Sequence, residues 1–220
     1  MNETEKISLD HTLHVITDRN LYGRVPGRGL EDVARAAAQG GATVIQLREK
    51  GLDGKELCRM GELLSALSRE LSFAFIVNDR LDVALISGAH GVHLGQGDLP
   101  IAGARRLTDE ALIIGASASN REEALRAQDE GADYLGVGPV YTTGTKETGR
   151  APLGPGGIEA VARAVSIPVV AIGGITAENV APVIEAGAAG VAVISAVMAC
   201  QDIERATRIL KERIRAARRA

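Results

Sequence analysis

The chain has 220 residues, 45% hydrophobic but only 2% aromatic, so a sizeable core must come from Ala, Val, Ile and Leu. A formal charge of -3 and few rings argue against a nucleic-acid surface, which needs basic phosphate contacts and stacking platforms. No apolar run is long enough to span a bilayer, residues 1–10 read as a flexible polar extension unlike a signal peptide, and Cys58 and Cys200 read as unpaired thiols. A soluble cytoplasmic protein is the expectation.

Period and punctuation then give a regular alternation. Buried, β-branched strands are predicted at Leu13–Thr17, Thr43–Leu47, Phe73–Asn78 and Gly91–Gly95. Four more follow at Leu112–Ser117, Tyr134–Pro139, Val169–Gly173 and Gly190–Ser195. Between and after them lie Ala/Leu/Glu/Arg-rich helical segments: Leu30–Gln39, Gly54–Glu70, Leu81–Ser87 and Ile101–Thr108, then Arg121–Glu130, Gly157–Val165, Ala177–Glu185 and Gln201–Arg218. Glycine recurs where helix gives way to strand, around Gly41, Gly88, Gly131 and Gly187, as a left-handed helix terminus requires.

Eight βα units in one chain of this length predict a single-domain (β/α)8 TIM barrel over residues 1–220. An open Rossmann-like sheet would want Gly-x-Gly-x-x-Gly after its first strand. Here that strand ends in Thr17-Asp18-Arg19-Asn20.

Chemistry in such a barrel lies at the carboxyl ends of the strands, and the unusual polar residues fall there. Strand two ends in Gln46-Leu47-Arg48-Glu49-Lys50; alternation puts Val44, Gln46, Arg48 and Lys50 on one face, Ile45 and Leu47 on the other. An amide and two cations at a strand end suit an anionic ligand. Strand three supplies Asn78 and Asp79, strand four His93 and Gln96 with Asp98 beyond, and strand five Ser117. Asp79 and Asp98 each suit a helix N-cap as well as a metal site. As a pair, opposite Arg48, Lys50 and Lys146, they suit magnesium completed by substrate phosphate oxygens and water. His93 faces the barrel interior, as a core histidine or a general base. Gly173-Gly174 and Ser195-Ala196 suit either tight turns or phosphate binding. The loop from Thr142 to Gly157 carries Thr143, Gly144, Thr145 and Lys146 and suits either closure over a substrate or simple mobility.

Taken in order, these motifs resemble the thiamine-phosphate synthase family from about Leu13 to Ala196. The marks are Gln46–Lys50, Val77-Asn78-Asp79-Arg80, Val92-His93-Leu94-Gly95-Gln96 with Asp98, Ile114–Ser117, Gly138–Tyr141, Thr143–Lys146, Ala171–Ile175 and Ile194-Ser195-Ala196. The resemblance implies a transferase joining a hydroxymethylpyrimidine diphosphate to a thiazole phosphate, with release of pyrophosphate. It implies pyrimidine-diphosphate contacts at Gln46, Leu47, Arg48, Glu49, Lys50, Asn78, Ser117 and Lys146, with Arg48, Lys50, Ser117 and Lys146 catalytic. It implies Mg2+ at Asp79 and Asp98, and thiazole-phosphate contacts at Thr143, Gly144, Thr145, Gly174, Ile194 and Ser195. Two features depart from the family pattern: the charges of Glu147–Arg150, and His14 where an aromatic ring is expected. A thiazole tautomerase, a precursor-sensing protein and a phosphosugar isomerase are the competing readings. Partners are expected to be small molecules, with neither nucleic acid nor membrane. Oligomeric state is left open.

Overall fold

The computed structural model describes residues 9–108, 112–144 and 149–219. Eight parallel strands close in sequence order, each hydrogen-bonded to the next and β8 to β1. They are β1 (Leu13–Ile16), β2 (Val44–Leu47), β3 (Ala74–Asn78), β4 (Gly91–Leu94), β5 (Ile113–Ala118), β6 (Tyr134–Val137), β7 (Val169–Ile172) and β8 (Gly190–Val193). The expected (β/α)8 barrel is the architecture found.

Helices between strands cover the outside: α2 (Leu30–Gln39), α3 (Gly54–Leu71), α4 (Leu81–Ser87), α5 (Ile101–Leu107), α6 (Arg121–Asp129), α7 (Gly154–Ala162), α8 (Ala181–Glu185) and α10 (Ile203–Ala217). Two short helices, α1 (Arg19–Tyr22) and α9 (Ser195–Met198), follow β1 and β8 and were not expected. Side-chain caps start several of the longer ones, since Asp53, Asn120 and Asp202 each accept from the backbone N–H three residues on. Gly41 and Gly131 take positive φ, 97° and 98°, where the helix turns back into the barrel.

The α7 and α8 boundaries differ from expectation for local reasons. Helix α7 begins three residues early because Pro155 sits in its first turn, where a missing N–H costs nothing. Helix α8 starts four residues late. The Asn179 side chain accepts from Thr176 N–H and donates to Gly174 C=O, a local bonding pattern that competes with helix.

Alternation divides the core in two. Leu13, Val15, Ile45, Leu47, Val77, Val92 and Leu94 point outward against the helices. Ile16, Ile113, Tyr134, Val170 and Ala192 fill the barrel interior, and Leu9 packs against them. Of the expected 1–10 extension, Leu9 and Asp10 are thus held on the barrel, the Asp10 carboxylate accepting from Thr12 N–H; residues 1–8 lie outside the described residues. Among the described residues no helix is long and apolar enough to cross a membrane.

Candidate active site

The strand register lines up the inward-facing residues. It pairs Ile16 with Gln46, Gln46 with Ile76, Asn78 with His93, and Ser117 with Gly136. Because the strands are parallel, their carboxyl ends open on one rim, around a cavity of about 740 Å³. A space this size accommodates two small substrates together. Gln46, Arg48, Lys50, Asn78, Asp79, Asp98 and Ser117 line it from one side. Thr143, Gly144, Gly174, Ile194 and Ser195 line it from the other.

The acidic and basic groups are interlocked. Lys50 Nζ donates to the Asp79 carboxylate. Burial works against ionising Asp79, yet hydrogen bonds with Lys50 and Asp98 bring its carboxyl below the usual range. Asp98 moves the other way: burial and then the neighbouring Asp79 raise it. Neither aspartate caps a helix. The capping positions of α4 and α5 are Arg80 and Pro100, and Asp98 instead accepts from Gly95 N–H at 2.7 Å. Asp79 also holds a left-handed backbone, φ 65°, which Asp tolerates better than most residues but which still costs about 1 kcal/mol.

Two amides wait beside this cluster. Gln46 is 3% exposed, lines the cavity, and makes no side-chain hydrogen bond among the described residues. Asn78 behaves likewise at the end of β3. Asn78 is half-buried, and no amide atom of either residue is sealed away without a partner; both open onto the cavity, where a polar ligand could bond to them. Across the cavity, His93 bridges Tyr134 and Ser117: Nδ1 lies 3.0 Å from the Tyr134 hydroxyl, and Nε2 3.0 Å from Ser117 Oγ. His93 therefore does face the interior, half-buried on the cavity wall, with both ring nitrogens in hydrogen-bond contact. Glycine on the adjoining strands makes room for these rings. A Cβ on Gly115 would lie 2.2 Å from the Tyr134 ring, and one on Gly136 2.8 Å from the His93 ring.

The other half is built from backbone. Gly173 and Gly174 follow β7 with positive φ, and a Cβ on Gly174 would meet Thr142 C=O at 2.6 Å. The loop after β6 is tied to this turn by Tyr141 N–H donating to Gly173 C=O. Helix α9 starts at Ser195 on the cavity wall, where the first N–H groups of a helix have no intrahelical partner.

Not every predicted position reaches the cavity. Leu47 is 2% exposed and packs outward against the helices. Glu49 is turned out of the cavity too; its carboxylate accepts from Arg19 N–H and the Tyr22 hydroxyl, and burial raises its pKa. The alternation that sends Gln46 and Arg48 inward sends these two side chains outward. Thr145 and Lys146 lie outside the described residues. Several cavity groups were not anticipated. Ser119, Glu123 and Arg150 sit together, the Glu123 carboxylate accepting from Ser119 N–H and Oγ and from Arg150 Nη1. Asp18, which does not itself line the cavity, pairs with the cavity residue Arg48, with Nη1 3.2 Å from Oδ2. Counting by twos from His14 and Ile16 would have flagged Asp18.

Fold and site together define a (β/α)8 barrel with a charged, ligand-sized cavity at the carboxyl ends of its strands. The sequence profile described as thiamine monophosphate synthase matches residues 13–197. The thiamine-phosphate synthase of Methanoregula boonei is 49% identical over 206 residues, 94% of either chain. That of Methanoculleus marisnigri is 48% identical over 96% of this chain and 98% of its own. Among solved structures, thiamine phosphate pyrophosphorylase from Pyrococcus furiosus superposes with a TM-score of 0.86 at 42% identity, covering 94% of this chain and 97% of that one. The chain belongs to the thiamine monophosphate synthase family, and it is an enzyme of the transferase class.

Proposed function

We propose that the enzyme couples 4-amino-2-methyl-5-hydroxymethylpyrimidine diphosphate to 4-methyl-5-(2-phosphoethyl)thiazole, or its carboxylated form, giving thiamine phosphate and pyrophosphate. The observation carrying this reading is the placement of Arg48 and Lys50 against Asp79 and Asp98 at one cavity that the Gln46 amide also lines. A thiazole tautomerase has no use for such a divided charge cluster.

Asp79 and Asp98 fit a magnesium ion by the chemistry of their donors. They are hard carboxylate oxygens close enough to perturb one another's protonation. No group of three or more His, Cys, Asp or Glu able to hold a metal exists among the described residues, so further ligands would come from substrate phosphate and water, as Mg2+ prefers. When bound, the metal would neutralise charge that accumulates on the departing diphosphate.

The remaining work falls to this chain's own groups. Arg48 and Lys50 hold the diphosphate and take up negative charge as the methylene–oxygen bond breaks, with its electron pair leaving on oxygen. Positioned donors of this kind supply about 3 kcal/mol each. Lys146 is assigned the same role by the family motif. Gln46, Asn78 and the Ser117 hydroxyl orient the aminopyrimidine, whose electron-rich ring supports a dissociative displacement. Leu47 and Glu49 contribute only through their backbone. The thiazole nitrogen supplies the new bond's electron pair, so no enzyme nucleophile is needed. Thr143, Gly144, Thr145, Gly174, Ile194 and Ser195 hold the thiazole phosphate so that its nitrogen faces the methylene. The reaction needs neither nucleic acid nor membrane and fits a cytoplasmic setting.

Incubation with both substrates and Mg2+ tests this reading. Thiamine phosphate and pyrophosphate should appear in equal amounts and vanish with EDTA. Thiazole-phosphate binding without either product would return the protein to the tautomerase or sensor class.

A further inference from the structure

We propose that Asp18 is a positioning residue for Arg48, fixing its guanidinium for the diphosphate; this rests on the role given to Arg48 above.

On β1, Leu13 and Val15 face the helices, while His14 and Ile16 face the interior. Asp18 is the next position of the same parity, just beyond the strand. The register pairs His14 with Val44 and Ile16 with Gln46, so two residues further on Asp18 stands beside Arg48. The chain has already left the strand there, yet the contact persists: Arg48 Nη1 lies 3.2 Å from Asp18 Oδ2, with side chains 14% and 12% exposed. The other carboxylate oxygen, Oδ1, accepts from Asn20 N–H at 3.0 Å and caps α1.

The surroundings keep this carboxylate still. Thr17 Oγ1 accepts from Arg48 N–H at 3.0 Å, binding the end of β1 to the end of β2. Glu49, buried on the far side of the strand, accepts from Arg19 N–H at 2.9 Å and from the Tyr22 hydroxyl. The turn carrying Asp18 is therefore fastened to the end of β2 through Thr17 and, on the helix side, through Glu49. A guanidinium has five N–H donors in a planar fork. Asp18 engages one of its nitrogens, and it is the Arg48 side chain that lines the cavity. An arginine held this way loses less rotamer freedom when it binds an anion. Glu49, which the family motif carries beside Arg48, serves the same arrangement from outside the cavity.

The test is the Asp18→Asn variant. Asn still caps α1, so the melting temperature should stay within a few degrees of wild type. Its amide cannot replace a carboxylate facing Nη1. The expected result is a rise of about tenfold in KM for the pyrimidine diphosphate with KM for the thiazole phosphate unchanged. In an Arg48→Ala background Asp18→Asn should add nothing. A lower KM would mean that Asp18 only cancels charge at the anion site, which overturns the proposal. So would independent, multiplicative effects of the two substitutions. If Arg48→Ala alone leaves KM for the diphosphate substrate unchanged, the role of Arg48 falls and the proposal falls with it. A normal Arg48 effect without coupling overturns only the role of Asp18.

Discussion

Lys50 and Asp79 form an ion pair across the ends of β2 and β3, so one of the two carboxylates offered to a cation already holds one. Lys50 is 60% exposed, and solvent weakens the pair without abolishing its competition with a metal. Lys50→Gln should therefore bind Mg2+ a few-fold more tightly in the absence of substrate, while its KM for the diphosphate rises. Calorimetric titration of Mg2+ into both proteins checks this. Weaker metal binding in the variant would show that Lys50 helps to build the carboxylate pair.

The positive φ of Asp79 makes its substitutions separable. Asp79→Gly and Asp79→Ala both remove the proposed metal ligand and should both lose nearly all turnover. They should differ in stability, with Gly ahead by about 1 kcal/mol because Ala resists the left-handed backbone. Urea denaturation of the two variants measures that difference. Wild-type turnover in either would remove Asp79 from the site.

Gly115 is fixed by the Tyr134 ring lying where its Cβ would be. Tyr134 is 1% exposed and wedged among His11, His14 and His93, so it has little room to retreat. Gly115→Ala should destabilise the barrel by about 2–3 kcal/mol through overpacking. Equilibrium unfolding should show this; a loss under about 0.5 kcal/mol would mean that the interior relaxes freely.

His11 and His14 form a stacked, buried pair, with His11 Nδ1 3.2 Å from His14 Nε2. Burial lowers His11 to about 4, against weaker opposition from Asp10 and Asp133, and holds His14 well below its usual range. The unfolded chain thus takes up protons first as pH falls. Stability from this pair is complete above about pH 6.5 and is lost as pH falls below it, by about 1 kcal/mol per unit down to about 4 for His11, with His14 acting in the same direction. The variant carrying His11→Gln and His14→Phe should lose less stability than wild type between about pH 7 and about pH 5. Equal losses would place the acid sensitivity elsewhere.

The barrel was readable in the sequence because eight β-branched runs and their glycine punctuation are local signals. The charged rim was readable because parallel strands bring their carboxyl ends together. Side-chain direction just beyond a strand was harder. Asp18 keeps the parity of β1 although the chain has turned into α1, and its register partner Arg48 is set thirty residues away. Glu49 illustrates the converse. A motif names it beside Arg48, but alternation sends it to the opposite face of β2, where it secures α1. The departure at His14 likewise makes sense only in three dimensions, where His11 stacks on it.

The central claim is that a metal-bound diphosphate lies between Arg48 and Lys50 on one side and Asp79 and Asp98 on the other. Pyrophosphate binding by calorimetry, with Mg2+ and then with EDTA, tests it most directly. Affinity should fall at least about tenfold without the metal, and the Mg2+ dependence should vanish in Asp79→Asn. Pyrophosphate binding that is equally tight in EDTA, or that keeps its Mg2+ dependence in Asp79→Asn, would contradict the account.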